Sequence, residues 1–219
     1  MVILQIESYE PYHIGNKLNP ATNFESLKKK LKEKLQTAEY KITEETLSGQ
    51  QVIFDKPIEV LGIKNDVRIE LNHLAQALNV IGTNPENVSS IFMEINSFLP
   101  EIGYEIENLS LFFEIVTSII VKSDEKTPKE ILNESITLNL AHFLINDIQN
   151  TNIIGIRIGG ENTENDNNFT LSIEPNTTSP NSRFMLNLRY RSKDKENIQI
   201  FHQEMYEKIM QLLTQLEYK

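Results

Sequence analysis

The C-terminal third of the chain has the clearest alternation of apolar and polar positions. Phe169, Leu171 and Ile173 alternate with polar residues, and residues 184–190 show a second run of the same kind. A period of two is typical of β-strands with one buried face. Between the runs lie Pro175, Asn176, Pro180 and Asn181, which favour turns. The pattern predicts two neighbouring antiparallel strands joined by a loop.

The period changes to that of a helix after residue 197. Apolar residues then recur every three or four positions, at Ile198, Phe201, Met205, Ile209, Leu212 and Leu216. Polar residues occupy the opposite side, so the segment predicts an amphipathic helix. Its apolar stripe requires an apolar surface, and the apolar side of the preceding strand is the nearest one. We therefore expect strand, strand and helix to pack as one block.

The N-terminal segment predicts a strand followed by a helix. Apolar residues recur at the alternate positions Val2, Leu4 and Ile6, and a loop is expected at residues 15–21. Thr22 and Glu25 have the spacing of a capping box at a helix start. The apolar stripe of this helix is Phe24, Leu27, Leu31 and Leu35.

The segment up to residue 100 predicts further strands and a second helix. A hairpin is expected at Ser48-Gly49, and a turn at residues 64–66 precedes alternating residues 67–71. Another strand is expected from Leu78 to Gly82. The sequence Asn84-Pro85-Glu86 is typical of a helix start, because proline is tolerated at the first helical position.

The second half of the sequence predicts the same order of elements. A long apolar segment, residues 104–122, is followed by a capping box formed by Thr127 and Glu130. The helix that it begins is expected to reach about Ile148, because apolar residues recur every four positions, and the alternative for its far end is a strand through Ile136, Leu138 and Leu140. A strand at residues 154–158, a polar loop and the C-terminal block then complete the chain.

Residues 1–100 and 101–219 can thus both be written as strand, helix, several strands, helix. We predict an α+β fold in which the two pseudo-repeated halves share one continuous antiparallel sheet with the helices packed on one face. This order resembles the saddle topology of the TATA-box-binding proteins. The resemblance concerns the order of the elements alone. It implies a fold but no function.

Composition narrows the classes of function. The formal charge is −10, and residues 57–150 hold most of the acidic surplus, which opposes binding to nucleic acid or anionic lipid. The absence of cysteine excludes disulfides and thiolate chemistry. No apolar stretch reaches the about 18 residues of a membrane helix, and the N-terminus lacks a signal-peptide pattern. We expect a cytoplasmic protein without a membrane partner.

Candidate catalytic groups are sparse. The four histidines are scattered, and His202, beside the last apolar stripe, is expected to be a solvated or packed histidine rather than a metal ligand. Gly159-Gly160 is followed by acidic residues and no helix start, which favours a hairpin over a phosphate loop. Glu105 and Glu107 have strand spacing, yet no catalytic partner can be assigned to them. We predict a protein that is not an enzyme and that has no catalytic residue, cofactor or metal.

The most apolar segment, residues 111–121, points to assembly. A strand that is apolar on both sides must be covered on both sides. With helices on one face only, the other face would need a second copy of the chain or another protein. Phe112 and Phe113 are the candidate contacts, and the leading hypothesis is protein assembly, as a homodimer or with another protein, through the sheet face.

Two alternatives remain open. The basic strand from Arg183 to Lys193 could bind nucleic acid through Arg183, Arg189 and Arg191. Ion pairs between these arginines and the acidic middle segment are the favoured interpretation, because that segment supplies abundant counter-charge. The other alternative is a small apolar ligand held between the sheet and the helices.

Overall fold

The computed structural model describes residues 4–42, 58–135, 155–162 and 166–217. In chain order its elements are β1 (Leu4–Leu18), α1 (Phe24–Thr37), β2 (Ile58–Lys64), β3 (Val67–Asn72), β4 (Ala77–Gly82), α2 (Pro85–Glu101), α3 (Ile106–Leu109), β5 (Ser110–Ser123), α4 (Pro128–Ser135), β6 (Ile156–Asn162), β7 (Asn167–Pro175), β8 (Arg183–Ser192) and α5 (Lys195–Glu217). The predicted α+β class is confirmed.

One antiparallel sheet contains all eight of these strands, in the order β2-β3-β4-β1-β5-β8-β7-β6. The first strand of each predicted half lies at the centre, where β1 pairs with β5. Internal duplication stays a prediction. The expected hairpin at Ser48-Gly49 and the helix beyond Ser135 lie outside the described residues.

The helices pack on one face of the sheet because their apolar stripes and one side of each strand form a single core. Leu27, Leu31 and Leu35 of α1 are fully buried, as the stripe predicted. In α5 the buried apolar residues are Ile198, Met205, Ile209 and Leu213. The stripe therefore includes Leu213, which the spacing did not select, whereas Leu212 and Leu216, which it selected, are partly buried against the core.

Three helix and turn signals of the sequence are confirmed. Asn84 caps α2 by accepting a hydrogen bond from the Asn87 amide at 3.1 Å. Thr127 and Glu130 form the predicted capping box, in which the Thr127 amide donates to Glu130 Oε2 at 2.8 Å. Asn65 has a φ of 51°, which suits the short turn between β2 and β3.

Strand β1 extends through the predicted loop. Gly15 and Asn16 pair with β4 on one side and with β5 on the other, so the strand continues to Leu18. Two neighbouring strands satisfy the backbone groups there, which outweighs the turn preference of glycine and asparagine. The helix cap is also displaced by one residue, because Asn23 rather than Thr22 accepts from the Ser26 amide at 3.0 Å.

The expected strand spacing of Glu105 and Glu107 is wrong. Glu105 is the N-cap residue of the short helix α3, and Glu107 lies within that helix. Their carboxylates do not share a strand face, because the strand β5 begins only at Ser110. Glu105 Oε2 accepts a hydrogen bond from Asn108 Nδ2 at 2.6 Å.

A buried hydrogen bond connects the first strand to the last helix. Tyr12, which is fully buried, shares a hydrogen bond of 2.7 Å between its hydroxyl and Nδ1 of His202. His202 is 8% exposed, and its Nε2 lies 3.7 Å from Glu86 Oε1 on α2. His202 is therefore packed rather than solvated, which is one of the two environments expected beside the apolar stripe.

Candidate functional site

The side of the sheet opposite the core carries no helix in the part of the chain that the structure describes. We call this side the open face. Its central side chains are His13, Arg68, Glu70, Asn79, Phe112, Glu114, Val116, Ser118, Ile120, Arg157, Thr170, Ser172, Asn187, Arg189 and Arg191. They alternate along each strand with the core residues of the same strand.

All five arginines of the chain lie on the open face. Arg68 stands between the buried Val67 and Ile69, and Arg157 stands opposite Ser172. Arg183, Arg189 and Arg191 alternate with the core residues of β8. Most of the described lysines lie elsewhere, and in the named strands those on the open face are Lys17 and Lys122, near strand ends. Arginine thus predominates over lysine in the strands of the open face.

Glu114 on β5 holds two of these arginines. Its Oε2 lies 2.7 Å from Arg189 Nη2 and 3.2 Å from Arg191 Nη2. Burial alone would raise the pKa of Glu114, but the two guanidinium groups outweigh it and hold the pKa below its ordinary value. The guanidinium of Arg191 also covers the ring of Phe112, at 3.9 Å from the ring centroid.

Two further arginines have carboxylate partners. Arg183 Nη2 donates to Glu7 Oε1 at 2.7 Å, and this hydrogen bond lowers the pKa of Glu7. Arg68 Nε lies 3.2 Å from Oε1 of Glu70, which is 7% exposed. Arg157 has no ion-pair partner within the described ranges.

A row of polar side chains crosses the strands beside Arg157. Ser118 Oγ donates to Asn187 Oδ1 at 2.8 Å, and Asn187 Nδ2 donates to Ser172 Oγ at 3.3 Å. Strand register places Arg157 directly opposite Ser172. The row therefore runs Ser118, Asn187, Ser172, Arg157 and ends on the arginine that has no carboxylate.

His13 lies at the centre of the sheet, next to Gly15. A Cβ at Gly15 would come within 2.9 Å of His13 Nε2 and 3.0 Å of Asn79 Oδ1. The absence of a side chain at Gly15 therefore allows the side chains of His13 and Asn79 to lie close to its backbone. Burial lowers the pKa of His13, which keeps its ring neutral at pH 7. Within the described ranges, no group of three or more acidic or histidine side chains could hold a metal ion.

The predicted interaction residues divide between the two faces. Phe112, Arg189 and Arg191 meet on the open face, whereas Arg183 lies at the opposite end of β8. Phe113 is 2% exposed and packs edge-on against Phe92, with ring centroids 6.0 Å apart. Its place on an exposed surface is wrong, because neighbouring residues of a strand point to opposite faces.

The open side of β5 is less apolar than the sequence suggested. Phe112, Val116 and Ile120 alternate there with Glu114, Ser118 and Lys122. Arg191 covers Phe112, and Ile120 is only 8% exposed. The open face is therefore a mixed surface of arginine, carboxylate, hydroxyl and partly covered apolar groups.

An apolar groove lies on the other side of the sheet, between α5 and the outer strands β6 and β7. Its volume is about 480 Å³, and its lining includes Ile158, Phe169, Ile200, Phe201 and Leu212. Tyr190 and Phe201 stack within it, with ring centroids 4.0 Å apart. Asn197, Glu204 and Lys208 are the polar groups of the described lining.

Comparison with protein-family models, with curated proteins and with solved structures found no match for this chain. None of the helices in the described ranges has the length and apolarity needed to cross a membrane.

The geometry of Glu114 makes a prediction about stability and pH. Glu114→Gln removes the carboxylate shared by Arg189 and Arg191, so the free energy of unfolding at pH 7 should fall by about 1–3 kcal/mol. A lowered folded-state pKa stabilises above the unfolded value of 4.5 and ceases to do so as pH falls through the folded value. Urea unfolding at pH 7 and pH 3 should show the difference between variant and parent shrinking at pH 3.

The matched control is Glu107→Gln, an exposed carboxylate on α3. We expect it to change stability by less than about 0.5 kcal/mol at both pH values. A Glu114→Gln cost that is the same at pH 3 as at pH 7 would contradict the proposed role of the ionised carboxylate.

Proposed function

We propose that this protein is not an enzyme and that it docks another protein on its open face. The observation that carries the proposal is the placement of all five arginines on the face that lacks a helix among the described elements. Protein interfaces are enriched in arginine and depleted in lysine, because the planar guanidinium pairs with carboxylates and stacks on aromatic rings. The Arg191–Phe112 contact is one such stack.

Nucleic acid is a weaker candidate for this face. Glu114, Glu7 and Glu70 already hold four of the arginines, and each would stand close to a phosphate that approached its partner. The formal charge of −10 adds a long-range repulsion. A protein surface of mixed charge matches the alternating charges better than a continuous run of phosphates does.

A second copy of the chain is also a weaker candidate than a different protein. Through its own open face it would offer mainly carboxylates that already hold arginines, such as Glu114 and Glu7. A different protein can present a carboxylate that is not already engaged.

Binding of a small apolar ligand is a second candidate function, favoured by the groove beside α5. Its volume of about 480 Å³ lies in the range of roughly 300–1,000 Å³ that is typical of ligand sites. Aromatic and branched side chains dominate its described lining, and few polar groups interrupt them. Mass spectrometry of the gently purified protein separates the two functions, because a bound protein and a bound small molecule differ greatly in mass.

Site-specific photo-cross-linking in host cells tests the docking proposal. A benzophenone amino acid replaces Thr170 on the open face or Gln211 on the exposed side of α5. We expect one discrete protein adduct from position 170 and none from position 211. The adduct should be lost when Arg189→Glu is added, because the reversed charge stands beside Glu114 and repels a docked carboxylate.

The control is the unfolding curve of each variant, which must stay cooperative. Absence of an adduct from position 170, or equal adducts from both positions, would contradict the proposal. An adduct with the mass of two copies of this chain would replace the heterologous partner with self-association.

A further inference from the structure

We propose that the docked protein inserts a single carboxylate side chain into a hollow on the open face, between Arg157 and Arg189. This inference rests on the proposed docking function and adds the chemistry of the partner: an acidic residue at the centre of its contact surface.

The hollow lies over the half of the sheet that β5, β8, β7 and β6 form. Its volume is about 270 Å³, and Arg157, Arg189, Thr170, Ser172 and Asn187 are among its lining residues. This volume falls below the roughly 300–1,000 Å³ of sites for drug-sized ligands. It suits one side chain of a partner better than a whole small molecule.

The polar groups of the hollow supply several hydrogen-bond donors. Ser172 Oγ accepts from Asn187 Nδ2, which leaves its own hydroxyl hydrogen to donate. Arg189 donates hydrogen bonds from Nε and Nη2 to Glu114, so its Nη1 is available to another acceptor. Arg157 forms no ion pair within the described ranges, so its whole guanidinium group is available to donate hydrogen bonds. A carboxylate only accepts hydrogen bonds, so it matches this set of donors.

The charges around the hollow limit its occupant to one negative charge. Glu174 also lines the hollow, and Glu114 stands beside it. These two carboxylates face three arginines, Arg157, Arg189 and Arg191, so one negative charge is missing. A carboxylate supplies that single charge, whereas a doubly charged phosphate exceeds it.

Gly159 helps to leave the hollow open. It stands opposite Thr170 in the strand register, two residues after Arg157, and therefore lies on the same face. A larger residue at this position would extend a side chain beside the Arg157 guanidinium. The absence of a side chain keeps a route to that guanidinium.

The experiment uses the arginine side chains as reporters. The chain has only five arginines, so a nitrogen-15 spectrum of the purified full chain gives five Nε–H signals. Lysine substitutions assign each signal to its residue. The probe is a capped pentapeptide, Ala-Glu-Ala-Glu-Ala, and its matched control is the same peptide with glutamine in place of glutamate.

We expect the glutamate peptide to shift the signals of Arg157 and Arg189 in a saturable way, and the glutamine peptide to shift neither. Arg157→Gln should weaken binding by about tenfold, as expected for a lost charge-assisted bidentate contact. Arg183→Gln, at the other end of β8, should leave the affinity within about twofold, because it makes no contact with the hollow.

Equal shifts with the two peptides, no shift of the Arg157 signal, or an Arg157→Gln variant of unchanged affinity would overturn the inference. The peptide assay needs no natural partner, so its failure is separate from that of the docking proposal. If position 170 still cross-links to a protein while the peptide assay fails, docking stands and the acidic anchor does not.

Discussion

Phe113→Ala is expected to lower the free energy of unfolding by about 3–5 kcal/mol, whereas Phe112→Ala should cost about 1 kcal/mol. Phe113 is 2% exposed and packs against Phe92 in the core, so its loss leaves a cavity. Phe112 lies on the open face, where its described partner is the guanidinium of Arg191. Urea unfolding of the two variants at pH 7 measures both values.

These two residues are an internal control for each other, because they share a residue type and are adjacent in the chain. The slope of the unfolding transition should stay the same in both variants, since a change would indicate loss of two-state behaviour. Similar costs for the two substitutions, or a larger cost for Phe112→Ala, would contradict the assignment of the two faces of β5.

His202→Ala is expected to lower the free energy of unfolding by about 2–4 kcal/mol. The substitution leaves the hydroxyl of the fully buried Tyr12 without its hydrogen-bond partner, which costs about 1–3 kcal/mol. Loss of the buried imidazole adds a packing cost of at least about 1 kcal/mol. Thermal and urea unfolding of the full chain measure the total.

A double-mutant cycle with Tyr12→Phe isolates the hydrogen bond. In the His202→Ala background, Tyr12→Phe removes the unpaired hydroxyl, so it should cost less than it does in the parent protein. His73→Ala is the matched control, because His73 is partly exposed and should contribute little. Strictly additive costs for Tyr12→Phe and His202→Ala would show that the two groups do not interact.

The regular elements could be predicted because their local patterns agree with their final environment. Phe184, Leu186 and Leu188 alternate with polar residues and are buried in the sheet as that pattern predicts. Asn84, Thr127 and Glu130 cap the helices that they were expected to begin. In these segments, burial of one apolar side and local hydrogen bonding favour the same conformation.

The errors have two causes, pairing with distant strands and the formation of a local helix. Gly15 and Asn16 favour a turn locally, but β4 and β5 enclose them from both sides and extend the strand. Glu105 and Glu107 have strand spacing, yet the chain forms a helical turn before β5 begins. Periodicity within one segment carries no information about neighbours that are far along the chain.

The open face could be predicted only in part. The alternation of β8 predicts Arg189 and Arg191 on the side away from the core, with Arg183 flanking them, and the structure agrees for Arg189 and Arg191. Their partners could not be assigned, because Glu114 lies 75 residues from Arg189 in the sequence. Arg157 was missed for the same reason, since only the pairing of β6 with β7 brings it to the hollow. One feature of the sequence could have indicated Arg157: every arginine of the chain occupies a segment with strand periodicity.

The most direct test of the central claim, that a protein covers the open face, is cysteine labelling in cells. The chain has no cysteine, so Thr170→Cys on the open face and Gln211→Cys on α5 each provide a single reactive thiol. If a protein covers the open face, maleimide should label Thr170→Cys more slowly in host cells than in the purified protein, while Gln211→Cys should react equally in both. Slower labelling of Gln211→Cys alone, or equal labelling of Thr170→Cys in both settings, would contradict it.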